Sequence, residues 1–242
     1  MSLWANPFYH LELSGRGPQR PNDLRGWLLG RGLLALLWRL LPLSAVMACI
    51  ALARVPVANA QAQALGQLAA WLSPLALGGI AVLVGAAVTT ARDWRQGRMD
   101  EWRVTPAERK ALVGGKAWGR ALPLAAALTA GSLPAAAGWL LARRAGWGTP
   151  PFVPLEGVLL LLEAWAALFL LAHVGQWAGH QAERVPVALG LALAVGVALL
   201  AAVGGGIFLS LDLARLGGHL MVIGGAWLAG SFFQGWCERK VR

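Results

Sequence analysis

Charge is scarce in this sequence. Of its 242 residues only 13% are charged, while 57% are hydrophobic; an average soluble domain carries roughly 25% charged residues. That leaves too little polar material to cover a soluble fold of this length. Acids are scarcer still, 11 against 21 basic residues, giving a formal net charge of +10. The basic residues lack the repeated interleaving with polar and aromatic groups that a nucleic-acid surface needs, so nucleic acid is not an expected partner. Cysteine is nearly absent. Cys49 lies in the first apolar stretch and Cys237 in the last basic tail, so there is no disulfide framework to read. Four scattered histidines offer no paired metal-ligand spacing. No signal peptide is expected either, because the first 31 residues are polar, broken by prolines and carry four arginines.

What the sequence does have is long runs without charge: Val55 to Ala91, Ala121 to Ala142, Ala164 to Ala182, Val185 to Leu211 and Leu216 to Cys237. Each can hold a span of about 20 residues, the length that crosses a hydrocarbon core. Their Ala- and Leu-rich character lacks the alternation of a barrel strand, so helices are expected. The pattern predicts an all-α, polytopic six-helix bundle with spans at 33–53, 66–90, 121–141, 157–178, 186–207 and 216–236. On this frame 1–32 is a cytoplasmic N-terminal segment, 33–236 the membrane domain with a cytoplasmic loop at 91–120, and 237–242 a cytoplasmic tail. Lys and Arg set the orientation: sixteen fall on the side holding both termini and four on the other. Trp94, Trp118, Trp177 and Trp236 fall near the proposed inner ends, the level that indoles favour. Before the first span, Leu24, Trp27 and Leu28 share a face, which suits a short helix on the membrane surface or a simple extension of that span.

The segment from Arg92 to Arg120 is the richest in chemistry, with eight basic and four acidic residues. Thr105-Pro106-Ala107-Glu108 carries three helix-start signals: a capping threonine, a proline at the first position and a glutamate that completes a capping box. A short helix is expected from Pro106 to about Val113, ended by Gly114-Gly115. Glu108, Arg109 and Lys110 would stand exposed; Ala111, Leu112 and Val113 would form the apolar side. As an isolated stretch it reads more readily as a solvated loop with an ordinary capped turn.

The longer spacing resembles a family pattern. Gly97, Asp100, Thr105, Pro106, Gly115 and Lys116 match, at the same spacing, the loop after the second span of ATP-binding-cassette (ABC) type-2 transporter permeases. There charged residues and Gly-Thr lead to an acid, an apolar run, Thr-Pro or Ser-Pro, a short helix and Gly-Lys. Asn6-Pro7 followed by Leu11-Glu12-Leu13 is similar to the opening of many such permeases. Arg98 stands where the family usually has Thr, Glu101 and Arg103 interrupt the apolar run, and Ala111 occupies a common Glu position. The resemblance implies that Gly97, Asp100, Glu101, Thr105, Pro106, Glu108, Arg109, Lys110 and Lys116 form or shape a coupling helix. That helix would dock on a separate ATPase subunit, with two ATPase copies and a second permease subunit, identical or related, in the assembly. It further implies export across a bacterial-type inner membrane, with ATP and Mg held by the partner. The family's re-entrant helices between spans five and six would be reduced here or folded into Gly204–Gly218. This chain has no phosphate loop of its own, since Gly114-Gly115-Lys116-Ala117 lacks the hydroxyl residue and the earlier glycine spacing. Hence no enzymatic activity and no cofactor are expected on it.

Inside the spans, Glu163 stands out. A carboxylate at membrane depth is costly, and it either lines a path, pairs with a base or bonds a neighbouring helix. His219, and His173 with Gln176, are weaker candidates, since a lone histidine is more often a hydrogen-bonded packing residue. Glu163 and His219 are the candidate translocation-path residues. Two other readings compete. A membrane scaffold or assembly factor would need neither Glu163 nor a capped loop helix. An intramembrane protease would suit six spans, but Ser132 in Gly131-Ser132-Leu133-Pro134 and Ser231 do not supply its Gly-x-Ser-Gly motif.

Overall fold

The computed structural model describes residues 60–99, 109–144, 154–182, 184–213 and 215–240. Among them every regular element is a helix: α1 (Ala60–Arg95), α2 (Arg109–Arg144), α3 (Pro154–Gln181), α4 (Val185–Leu213) and α5 (Arg215–Lys240). The first expected span (33–53), the surface helix near Leu24 and the Asn6-Pro7 opening lie outside the described residues. Four helices hold segments long and apolar enough to cross a membrane: Ala76–Arg95, Val158–Gln181, Val185–Val203 and Gly217–Lys240. In lipid a backbone must bond to itself, and these helices do so along their length. The chain is therefore read as a membrane protein.

Three boundaries differ from expectation. Gly114-Gly115 does not end a helix, because α2 runs unbroken from Arg109 to Arg144. Gly115 is buried, and a Cβ on Gly114 would meet Gln234 Nε2 at 3.8 Å. A glycine stops a helix where solvent can take over its backbone bonds. Here a neighbouring helix packs against the pair, and tertiary contact outweighs the cost of about 1 kcal/mol per glycine. Between the last two spans only residue 214 separates α4 from α5, so the stretch 204–218 forms the ends of these two helices and no separate re-entrant pair. Finally, Cys237 lies within α5 and is buried against Leu112 and Val113, because that helix continues to Lys240.

The described residues fall into two compact units, the larger taking in those within 79–99, 109–123 and 159–240 and the smaller 60–78, 124–144 and 154–158. In the described part of the smaller unit, Leu124, Ala125 and Leu128 are buried on α2, and Thr129 Oγ1 donates to the Ala125 carbonyl at 2.8 Å.

The larger unit is built around α3. Its core joins Leu83 and Ala87 of α1, Ala166, Leu170, Leu171, Val174 and Ala178 of α3, Ala192 of α4 and Ala226 of α5. Small residues let the backbones meet closely. A Cβ on Gly179 would fall 2.6 Å from Thr90 Cβ and 3.0 Å from the Ala91 nitrogen, so α1 and α3 touch main chain to main chain. The contacts also fix direction. Gly79 faces Leu171 and Gly179 faces Ala91, so α1 and α3 run parallel. Phe169 stacks near Trp227, and Trp177 near Phe233 and Trp236, so α3 and α5 run parallel as well. Gly79 faces Leu200 while Ala91 packs with Ala188, so α4 runs the other way, as does α2. Such alternation suits a chain that threads a bilayer repeatedly.

Candidate functional site

Helical spacing places a set of polar side chains inside this otherwise apolar unit. Near the start of α3, Glu163 is fully buried, and His219 near the start of α5 is fully buried beside it. His219 Nδ1 lies 2.9 Å from Glu163 Oε1, so two residues separated by 56 positions form one hydrogen-bonded pair. The second carboxylate oxygen, Oε2, makes no hydrogen bond among the described residues. One proton shared within the pair leaves it neutral overall, either as acid and imidazole or as carboxylate and imidazolium. As acid and imidazole the pair escapes most of the penalty for burying charge, whereas as carboxylate and imidazolium it still bears the cost of desolvating two ions. The arrangement can hold a proton and hand it between two heteroatoms.

Further along α3, Phe169, His173, Gln176 and His180 recur at helical spacing on one face. His173 Nδ1 donates to the Phe169 carbonyl at 2.9 Å, and its ring packs 4.3 Å from the Phe169 ring. Trp118 and Trp227 close around Phe169, with centroids 5.2 Å and 4.2 Å away, which forms an aromatic layer. By helical rise this layer stands about 9 Å from the Glu163 level. Gln176 Nε2 donates to the Val113 carbonyl of α2 at 3.1 Å. His180 Nδ1 accepts a hydrogen bond of 2.7 Å from Trp94 Nε1. His173 Nε2 and Gln176 Oε1 are buried without a partner among the described residues.

At the other end of α1 a second charged pair is buried. Asp93 and Lys116 form a short ion pair, with side-chain exposures of 0% and 5%, and Arg98 approaches Asp93 at 3.9 Å. The sequence reading missed Asp93. It stands two residues from the end of α1 in a charge-rich segment that reads as loop, and only its position one turn beyond the buried Thr90 could have marked it.

The residues singled out from the loop pattern fall differently. Gly97 has φ +70°, the left-handed conformation that closes a helix, and it follows the last turn of α1, where its nitrogen bonds the Trp94 carbonyl. Arg109 is the first residue of α2 and Lys110 is exposed in its first turn. Leu112 and Val113 are buried, as an apolar side requires. Lys116 turns inward and spends its charge on Asp93 within this chain. Asp100, Glu101, Thr105, Pro106 and Glu108 lie outside the described residues. The structure thus joins Glu163 to His219, and keeps Lys110 apart from Lys116 on a different face of α2.

Comparison with family models, with curated proteins and with solved structures finds no match.

Proposed function

We propose that this chain is the membrane-spanning subunit of a transporter energised by a separate ATPase subunit of the ABC class. The sequence resemblance over 97–116 motivates this reading. The observation that carries it is mechanical. The segment that would receive the partner's push begins an unbroken helix of 36 residues, α2. Near its start α2 is fastened to α1 through Asp93–Lys116 and to α3 through Gln176 and the Val113 carbonyl. A displacement at Lys110 therefore moves a rod, and the rod moves two neighbours. A loop with a glycine hinge at 114–115 would absorb the same displacement.

In this reading the 91–120 side and both termini are cytoplasmic, the assembly contains two permease subunits and two ATPase subunits, and cargo moves outward. ATP and Mg reside on the partner. Glu163 and His219 belong to the moving interior, where α5 shifting against α3 would break or remake their bond. The test is purification of the tagged full chain from its native host in mild detergent, with companions identified by mass spectrometry. A stoichiometric ATPase carrying a phosphate loop is expected, and it should be lost when 105–110 is replaced by a Gly-Ser linker. Recovery of the intact oligomer with no ATPase would overturn the proposal in favour of a membrane scaffold.

A further inference from the structure

The two helices most open to their surroundings, α4 and α5, pack against each other. Large apolar side chains stand out from both: Val187 and Val197 on α4, each more than half exposed, and Leu228 and Phe232 on α5, at 75% and 65%. Each helix also carries an exposed cation at one end. Leu228, Phe232 and Arg239 follow as i, i+4 and i+11 along one face of α5. On the other helix Arg184 stands immediately before α4 and three residues ahead of Val187. Arg184 and Arg239 are both exposed.

Direction then puts both cations at one end. α4 begins beside Ala91 and Ala182, and α5 ends beside Trp177, so both arginines occupy the same end of the unit. At that level the Lys240 ammonium lies 5.7 Å over the Trp236 ring, and Glu238 accepts a hydrogen bond from Gln234 at 2.9 Å. The apolar stripes are also notched. A Cβ added at Gly190, Gly225 or Gly235 would meet nothing within 4 Å, so the surface between the large side chains is open.

We infer that this end of the α4–α5 face binds anionic phospholipid, with acyl chains along the apolar side chains and phosphate groups at Arg184 and at Arg239. The two halves of the surface select the occupant jointly. An acidic protein would meet the arginines and leave Leu228 and Phe232 uncovered. A zwitterionic lipid would cover the stripes, but its own ammonium would offset the phosphate charge. Only an anionic amphiphile satisfies both, and guanidinium groups bind phosphate oxygens with paired donors. The inference holds whether or not the chain works with an ATPase.

The test uses the full chain in detergent micelles containing equal amounts of phosphatidylglycerol and phosphatidylcholine, with retained lipid counted by native mass spectrometry. Phosphatidylglycerol should dominate the adducts. Arg184→Gln with Arg239→Gln should lower that preference by about fivefold for each arginine removed. Arg184→Lys with Arg239→Lys, which keeps the charge, should retain most of it. Arg92→Gln with Arg95→Gln removes the same charge from the end of α1 and should leave the preference unchanged. Equal retention of the two lipids by the wild-type chain would overturn the inference. So would an equal loss in the α1 double variant, because diffuse charge would then suffice.

Discussion

The larger unit buries two charge pairs of opposite chemical character. Asp93 and Lys116 join α1 to α2, while Glu163 and His219 join α3 to α5. A lysine and an aspartate stabilise one another as ions, and removing either partner takes a close counter-charge from a buried full charge. Glutamate and histidine lie much closer in ordinary acidity, so moving one proton more readily converts both to neutral groups that still share a hydrogen bond. The first pair is a rivet. The second is a joint that can change state, and it sits between two parallel helices where sliding would part it. A unit that must both hold its shape and move can use one of each.

The contrast sets the size of four expected effects. Lys116→Met should be the most damaging, lowering stability by about 3–5 kcal/mol, because it takes the buried ammonium away from the Asp93 carboxylate. Thermal unfolding in detergent measures this, and Asp93→Asn in the same chain should recover much of the loss. Gly179→Ala comes next, at about 1–3 kcal/mol, since the new methyl would press on Thr90 and the α1 backbone. Glu163→Gln should cost only about 1 kcal/mol, because an amide keeps a hydrogen bond to His219 and leaves no charge behind. A loss as large as that of Lys116→Met would break the contrast and make the second pair a rivet too. Trp94→Phe should be smallest, on the order of 0.5–1 kcal/mol, for one hydrogen bond to His180 in a half-buried place.

The two pairs also differ in how far the sequence exposed them. Glu163 was conspicuous because it interrupts a long apolar run, and His219 because it opens another. Each was visible alone, but their pairing depends on α3 and α5 being parallel neighbours, which no local pattern encodes. Asp93 was hidden for the opposite reason, and Lys116 was marked only through the loop pattern. Arg92 and Arg95 flank Asp93, and a loop residue and a buried ion look alike in a charged neighbourhood. The spans were legible because hydrocarbon demands length and lack of charge, and those are counted directly. Gly114-Gly115 misled because glycine serves two purposes. It closes helices in water and permits close approach in a bundle, and only the presence of Gln234 of α5 across from it decides between them. The capped start at Thr105, Pro106 and Glu108 stays a reading of the sequence, as these residues lie outside the described ones.

The 56-residue separation of Glu163 from His219 has a consequence for biosynthesis. The chain is made from its N-terminus, so α3 leaves the ribosome before α5 exists. For that interval its carboxyl group has no imidazole to meet. Asp93 and Lys116, on consecutive helices only 23 residues apart, can find each other as a hairpin while synthesis continues. An insertion machinery would thus release α1 and α2 as a finished pair, yet would have to shelter α3 until the last helix arrived. Truncation before α5 should therefore leave α3 prone to slip back out of the bilayer, and Glu163→Leu should let it stay.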